Sequence, residues 1–480
     1  MSENDTTATY DVVVIGAGAA GLVTAIGSAG LGARAALIEK DRFGGECLWT
    51  GCVPSKALIR TTRTLQDARR AHEVGLQPTE LDFEFAQVMG SMREVIARIQ
   101  PHDDPATVRD KGVEPIHGAA EILASGHVAV GDAKLQAKRI VIATGSRPLI
   151  PRIDGLQKTG YLTHETILQL DRRPDRLLIL GAGPIGLEFA QIMRRLGTEV
   201  TVIELMETIL PREDAEVTTA LREALESEGI NFLLGHKAVA ATREGDACAL
   251  VLQRSDGSQT RVCGDEILVA TGMRPHTEGL GLENVGVEID RRGAVKVDSK
   301  LRTTVRGIWA AGDVTGILYF THVADYQART LVRNMFFPFP ASADYRRVPW
   351  AVYTDPTLAR VGLTEEEARI HHGDGIGVYR YSFADLDRAI TDRDARGLVK
   401  IITCKRGKIR GAHILSAHAD ALIHEIVLAM QAGVKIGGLS RMVHAYPTWP
   451  EAIRRTADSY YREKFAASRF RRLVRWWVRR

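Results

Sequence analysis

Asp11-Val-Val-Val-Ile15-Gly16-Ala-Gly18-Ala-Ala-Gly21-Leu22 is a strand, a turn and the start of a helix in twelve residues. The run from Asp11 to Ile15 is short and β-branched, the composition of a buried parallel strand. Gly16, Gly18 and Gly21 follow in GxGxxG spacing, and the stretch from Leu22 is Ala-rich and helix-compatible. In this setting the first glycine permits a tight turn, and the second lets backbone approach a pyrophosphate. The third lets helix pack on strand. The helix start adds unpaired N–H groups and a partial positive charge. A second strand, Ala35 to Ile38, runs into Glu39, placed to accept from a ribose hydroxyl.

The same fingerprint returns downstream. Leu177-Leu-Ile-Leu180 leads into Gly181-Ala-Gly183-Pro-Ile-Gly186, and a strand from Glu199 to Ile203 ends in Glu204. Two copies imply two dinucleotides on one chain. An acid at the end of the second strand favours a free 2′-hydroxyl and repels a 2′-phosphate, so NADH is expected over NADPH. Arg212, basic and not far away, is the opposing feature.

Between the two lies Gly44-Gly45-Glu46-Cys47-Leu-Trp-Thr-Gly51-Cys52-Val-Pro54-Ser-Lys56. Residues i and i+5 of a regular helix are roughly 8.6 Å apart at Cα, beyond the roughly 4.4–6.8 Å that a disulfide tolerates. If these cysteines bridge, the segment is distorted, and Gly51 and Pro54 permit or impose distortion. By themselves the two read as a redox pair, as two plain thiols or as a metal clip. Zinc wants four ligands and no second close pair exists, so no resident metal is expected. Cys248, Cys263 and Cys404 are isolated in strand-like surroundings and read as inert thiols.

The cysteine segment resembles the active-site signature of the pyridine nucleotide–disulfide oxidoreductases, the family of dihydrolipoamide dehydrogenase, glutathione reductase and mercuric reductase. The resemblance implies FAD on the first fingerprint and NADH (or NADPH) on the second. It implies that Cys52 lies against the flavin as the charge-transfer thiolate and that Cys47 is the interchange thiol. It also pairs Lys56 with Glu188. Ile140 to Ser146, with Thr144 and Gly145, and Ile267 to Gly272 resemble the strand–turn elements after each nucleotide unit. Gly312-Asp313 resembles the second FAD motif, whose aspartate binds the ribityl chain. The expected fold is α/β: two Rossmann-like FAD and NAD(P) domains with a C-terminal α+β dimerisation domain. The expected boundaries are 1–155 and 276–345 for the FAD-binding parts, 156–275 for NAD(P), 346–465 for the interface and 466–480 for a tail.

The resemblance covers about residues 10 to 465 and implies a homodimer, each active site completed by the other subunit. It weakens near the end. Disulfide-reducing members carry His-Pro-Thr-x-x-Glu, where histidine is the acid–base catalyst. This chain reads His444-Ala-Tyr446-Pro447-Thr448-Trp-Pro-Glu451. Tyrosine, with a reference pKa near 10, is a poor base at neutral pH, so either His444 reaches the cysteines or proton handling differs. The tyrosine, Phe320-Thr-His-Val-Ala324 and the run Asp385 to Asp394 resemble mercuric reductase, yet no delivery cysteine follows Cys404. The acceptor is therefore a disulfide, a lipoamide-like molecule or a soft metal. Mercuric-ion reduction proper and a membrane-docked NADH:quinone-type reductase are the alternatives.

Composition excludes other classes. With 45% hydrophobic and 25% charged residues the chain reads as globular. The net charge is +4, and the last fifteen residues hold six arginines and no acid, which leaves −2 for the rest. The basic character thus belongs to the tail and does not mark a nucleic-acid binder. The start, Met-Ser-Glu-Asn-Asp, lacks a secretory signal, so a cytoplasmic location is expected. Phe470, Leu473, Val474, Trp477 and Val478 follow helical spacing among arginines, the pattern of weak docking on the inner face of an anionic membrane.

Overall fold

A computed structural model describes residues 8–468 and 470–479. Val12–Ile15 is a strand buried along its whole length, as a β-branched run inside a parallel sheet should be. It lies at the centre of a five-stranded parallel sheet, ordered Ile308–Ala310, Ile140–Ile142, Val12–Ile15, Ala35–Glu39 and Val113–His117. The edge strand at 308–310 comes from beyond the second fingerprint, so the chain leaves this sheet and returns to complete it. A smaller sheet of Ala8–Tyr10, Ala133–Ala137, His127–Val130 and Ala120–Ala124 stands beside it.

The second fingerprint builds a parallel sheet of Asn231–Leu234, Glu199–Glu204, Arg176–Leu180 and Glu266–Val269. Leu177 to Leu180 are each at most 3% exposed. Each such side chain contributes about 1.5–3 kcal/mol by leaving water. An antiparallel sheet of Lys237–Glu244, Ala247–Gln253 and Gln259–Gly264 is attached to it. It carries Cys248, buried, and Cys263, exposed.

The C-terminal part is a five-stranded antiparallel sheet: Pro349–Val352, Thr357–Gly362, Ile409–Ser416, Leu398–Cys404 and Ile376–Ser382. Helices Ala419–Gln431 and Glu451–Ala467 pack on it. The α/β class and the α+β C-terminal part agree with expectation. The tail forms a helix, Phe470–Val478. Trp477 and Val478 are 74% and 80% exposed, while the side chains of Phe470 and Leu473 lie outside the described residues. Among the described residues no helix is long and apolar enough to cross a membrane.

A buried charge cluster joins these parts. Arg195, 2% exposed, donates to Glu228 at 2.7 Å and to Asp355 at 2.8 Å. Arg396 donates to the other Asp355 oxygen at 2.9 Å. Burial pushes the Asp355 carboxyl up, but Arg396, Arg195 and Arg63 together bring it down to about 2. Helix Pro184–Arg195 is thereby fastened to the C-terminal sheet.

Candidate active site

The cysteine segment is distorted where glycine allows it. Helix Gly45–Trp49 ends, Gly51 adopts φ −113° and ψ −107°, and a new helix runs from Cys52 to Arg69. Pro54 does not take part in the break. It is the third residue of the new helix, where a backbone N–H has no partner to lose.

Cys47 and Cys52 are free thiols brought together by this break. The Cys47 thiol donates to the Cys52 sulfur, which is the largest reason that Cys52 is pulled down to about 6. Burial opposes the shift, while Thr321 and the Lys56 charge reinforce it. The bond to Cys52 and then burial push Cys47 far upward. The pair is thus one thiolate and one firmly held proton. Thr321 Oγ1 is 3.4 Å from Cys52 Sγ.

Lys56, one turn into the same helix, reaches Glu188 Oε2 at 2.8 Å. The other Glu188 oxygen accepts from the Tyr353 backbone N–H at 3.0 Å. The Tyr353 ring lies under the Lys56 ammonium, 4.5 Å from its centroid. One carboxylate therefore ties the cysteine helix, the second fingerprint's helix and the C-terminal sheet together.

The two fingerprints repeat one geometry. Glu39 accepts from Ala17 N–H at 2.8 Å, and Glu204 accepts from Ala182 N–H at 2.8 Å. A Cβ on Gly16 would sit 2.4 Å from Ala143 O, and one on Gly181 would sit 2.5 Å from Ala270 O. A Cβ on Gly21 would be 1.7 Å from Gly16 O, and one on Gly186 would be 2.1 Å from Gly181 O. The fold itself excludes side chains at these four positions. Gly183 is different, because a Cβ there meets nothing within 4 Å. That open space above a helix start fits a pyrophosphate.

The Thr144 hydroxyl donates to His276 O at 2.6 Å, and Gly145 and Gly272 stand immediately before the paired strands Ser146–Pro148 and Met273–Pro275. After Gly312, Asp313 accepts from the Ser146 hydroxyl at 2.7 Å. Desolvation pushes its carboxyl up to about 7, against that hydrogen bond. A carboxyl so short of donors fits the hydroxyls of a ribityl chain, so the residues present suit FAD.

The C-terminal candidates are engaged elsewhere. The His444 side chain is 8% exposed, with Nε2 3.4 Å from Glu425, and its Nδ1 is buried without a partner. Tyr446, 70% exposed, donates to Asp387 at 2.9 Å. That bond and the Asp387 charge raise its pKa further. Glu451 is buried and paired with Arg454 and Arg455. Thr321, Glu425 and Asp387 were not singled out in the sequence. Thr321 and Asp387 stand inside segments that carried the resemblance, and Glu425 had no local signal.

Two dinucleotide folds converging on a thiolate–thiol pair define a two-nucleotide redox enzyme. The chain belongs to the pyridine nucleotide-disulphide oxidoreductases, whose family model matches residues 10–328 and whose dimerisation-domain model matches residues 348–457. It is 35% identical over 461 residues to a mercuric reductase of Streptomyces lividans, covering 94% of this chain and 96% of that one. It is 34% identical over 463 residues to a dihydrolipoyl dehydrogenase of Thermus scotoductus, covering 95% and 98%. The solved HOCl-induced flavoprotein disulfide reductase RclA from Escherichia coli superposes with a TM-score of 0.83 at 29% identity, covering 94% of this chain and 99% of that one. The protein is an FAD-dependent oxidoreductase that uses a pyridine nucleotide, and its dimerisation domain supports a homodimer.

Proposed function

We propose that the chain is an NADH-preferring reductase that delivers electrons through Cys47 and Cys52 to a soft, thiophilic metal ion. The observation that carries this reading is the proton inventory around the pair. A disulfide or lipoamide acceptor needs a base to take the Cys47 proton. Neither candidate base is well placed: His444 is buried with its Nε2 turned to Glu425, and the Tyr446 hydroxyl donates to Asp387, which raises its pKa. A soft metal ion needs no base, because the metal displaces the proton itself.

A bound FAD would supply two-electron chemistry linking the pyridine nucleotide to the pair. Cys52 approaches the acceptor as a thiolate, with Thr321 and Lys56 stabilising its charge. Cys47 gives up its proton as its sulfur bonds the metal. When a divalent ion such as Hg(II) takes the two electrons held by the pair, both metal–sulfur bonds break, the Cys47–Cys52 S–S bond forms and the reduced metal leaves. Glu188 holds Lys56 in place. Gly18 and Glu39 would line the FAD site, and Gly183 and Glu204 the nucleotide site. The Glu204 carboxylate would repel a 2′-phosphate. A cytoplasmic site of action, with weak contact between the exposed tail and an anionic membrane, completes the reading.

The test is NADH oxidation by holoenzyme with thiol-complexed Hg(II). Saturable turnover that vanishes in Cys47→Ser and in Cys52→Ser is the expected result. No turnover with Hg(II) but turnover with lipoamide would replace the metal by a disulfide acceptor. Turnover with a quinone that survives loss of both cysteines would remove the pair from the reaction.

A further inference from the structure

We propose that Thr321 is a positioning residue that holds Cys52 as the thiolate of the reduced pair and so sets how readily the Cys47–Cys52 disulfide forms. Thr321 is 269 residues from Cys52 in sequence, yet its hydroxyl is 3.4 Å from the sulfur. It is the first residue of helix Thr321–Phe336, as Cys52 is the first of helix Cys52–Arg69. Neither helix has a side-chain cap on its first turn, since Phe320 and Gly51 stand at the two N-cap positions without a side-chain hydrogen bond. The sulfur therefore lies where two positive helix ends meet, and Thr321 brings a hydroxyl donor to that point.

The position of Thr321 is fixed independently of the sulfur. Phe320 stacks on Trp350, with centroids 5.8 Å apart, and on His322 at 5.3 Å. His322 Nε2 is in turn 2.7 Å from Pro349 O. The threonine hydroxyl also bears on Cys47, favouring its ionised form as it does that of Cys52. A group that stabilises the thiolate stabilises the dithiol state, and a stabilised dithiol state is a stronger oxidant when oxidised.

This rests on the reading of Cys47 and Cys52 as the redox pair, and the experiment separates the two. Holoenzyme is equilibrated with mixtures of reduced and oxidised dithiothreitol over a range of pH. It is then acid-quenched, unfolded and alkylated, and the reduced fraction is read by mass. In the exchange the protein S–S bond breaks and that of the reagent forms. Two electrons pass, Cys47 takes one of the reagent's two protons, and above the Cys52 pKa the other goes to solvent and leaves Cys52 a thiolate. Thr321→Val should shift the equilibrium about tenfold toward the protein disulfide, the low end for a hydrogen bond to a charged group, which is about 30 mV for a two-electron couple. The pH at which the slope breaks should rise by about one unit. Thr321→Ser should restore both. If Thr321→Val loses FAD, Thr321→Ala reads the same quantity. Wild-type behaviour in the hydroxyl-free variant, or a serine variant as shifted as valine, would overturn the assignment. A pair that forms no disulfide at any ratio would sink the functional reading instead.

Discussion

Gly181 and Gly183 stand two residues apart in one turn, and substituting each by alanine should separate folding from nucleotide binding. Gly181 has φ +106°, and a Cβ there would lie 2.5 Å from Ala270 O. Strained backbone of that kind costs about 1–3 kcal/mol for a residue with a side chain, and the clash with the Ala270 carbonyl adds to it. Gly181→Ala should therefore lower the melting temperature and reduce the yield of folded protein. Gly183 has φ −78° and ψ 179°, which any residue adopts, and its Cβ direction is open. As an N-cap it loses about 1 kcal/mol or less on becoming alanine. The added methyl would occupy the space assigned to the pyrophosphate. Displacing one charge-assisted hydrogen bond costs about 1.5–3 kcal/mol, so the KM for NADH should rise about ten- to hundredfold. Melting curves, retained FAD after gel filtration and NADH titration read the three quantities. A Gly183→Ala enzyme that melts normally and binds NADH normally would refute the assignment of the second fingerprint.

Three further outcomes follow from the same geometry. Cys52 titrates at about 6, far below an ordinary thiol, so its thiolate is present above that pH. Cysteine-dependent turnover should fall about tenfold per unit as pH drops below about 6, and a midpoint near 8 in the pH–rate profile would contradict it. Arg195→Met would strand Glu228 and part of the Asp355 charge in the interior. It should destabilise the protein by about 3–5 kcal/mol, read as a lowered urea midpoint, and an unchanged midpoint would show that the cluster is solvated. Glu204→Gln keeps an acceptor for the Ala182 N–H but removes the charge. It should narrow the NADH/NADPH preference by about tenfold in kcat/KM, and an unaltered ratio would place discrimination elsewhere.

The elements that repeat locally were legible before the structure. Both fingerprints are legible as strand, turn and helix because strand, glycine spacing and terminal acid fall within one short window, and each acid accepts from a turn N–H twenty-two residues back. The distortion at Gly51 was legible for the same reason. Pro54 was misjudged because its effect depends on where the helix begins, which sequence leaves open by a residue or two. What could not be read were contacts between distant segments. Thr321 touches Cys52 only because the edge strand at 308–310 returns to the first sheet and aims the next helix at the sulfur. Arg195 and Asp355 look like ordinary surface charges until the fold buries them together. His444 was a candidate base as the histidine two residues before the place where the resemblance puts one, and its burial against Glu425 depends on how helix Ala419–Gln431 packs.

Sulfur exchange with a disulfide requires protons to be carried at each step, and the donor here is the worse placed of the two thiols. Cys47 holds its proton strongly because it donates that proton to Cys52, and burial and the charge on Cys52 add to the effect. Lowering Cys52 further, as the Lys56 charge does, makes the pair a better acceptor of electrons and a worse source of a second thiolate. A carboxylate-held tyrosine cannot compensate, since the Asp387 bond strengthens its grip on its own proton. An acceptor that brings its own driving force for deprotonation suits such a pair. A thiophilic cation does so, because its bond to the Cys47 sulfur replaces the sulfur–proton bond there. The prediction that distinguishes the cases is Tyr446→His. If proton transfer limits disulfide reduction, the imidazole should raise lipoamide turnover about a hundredfold while leaving metal reduction within about twofold. An equal change in both, or none in either, would show that the acceptor is not chosen by the base.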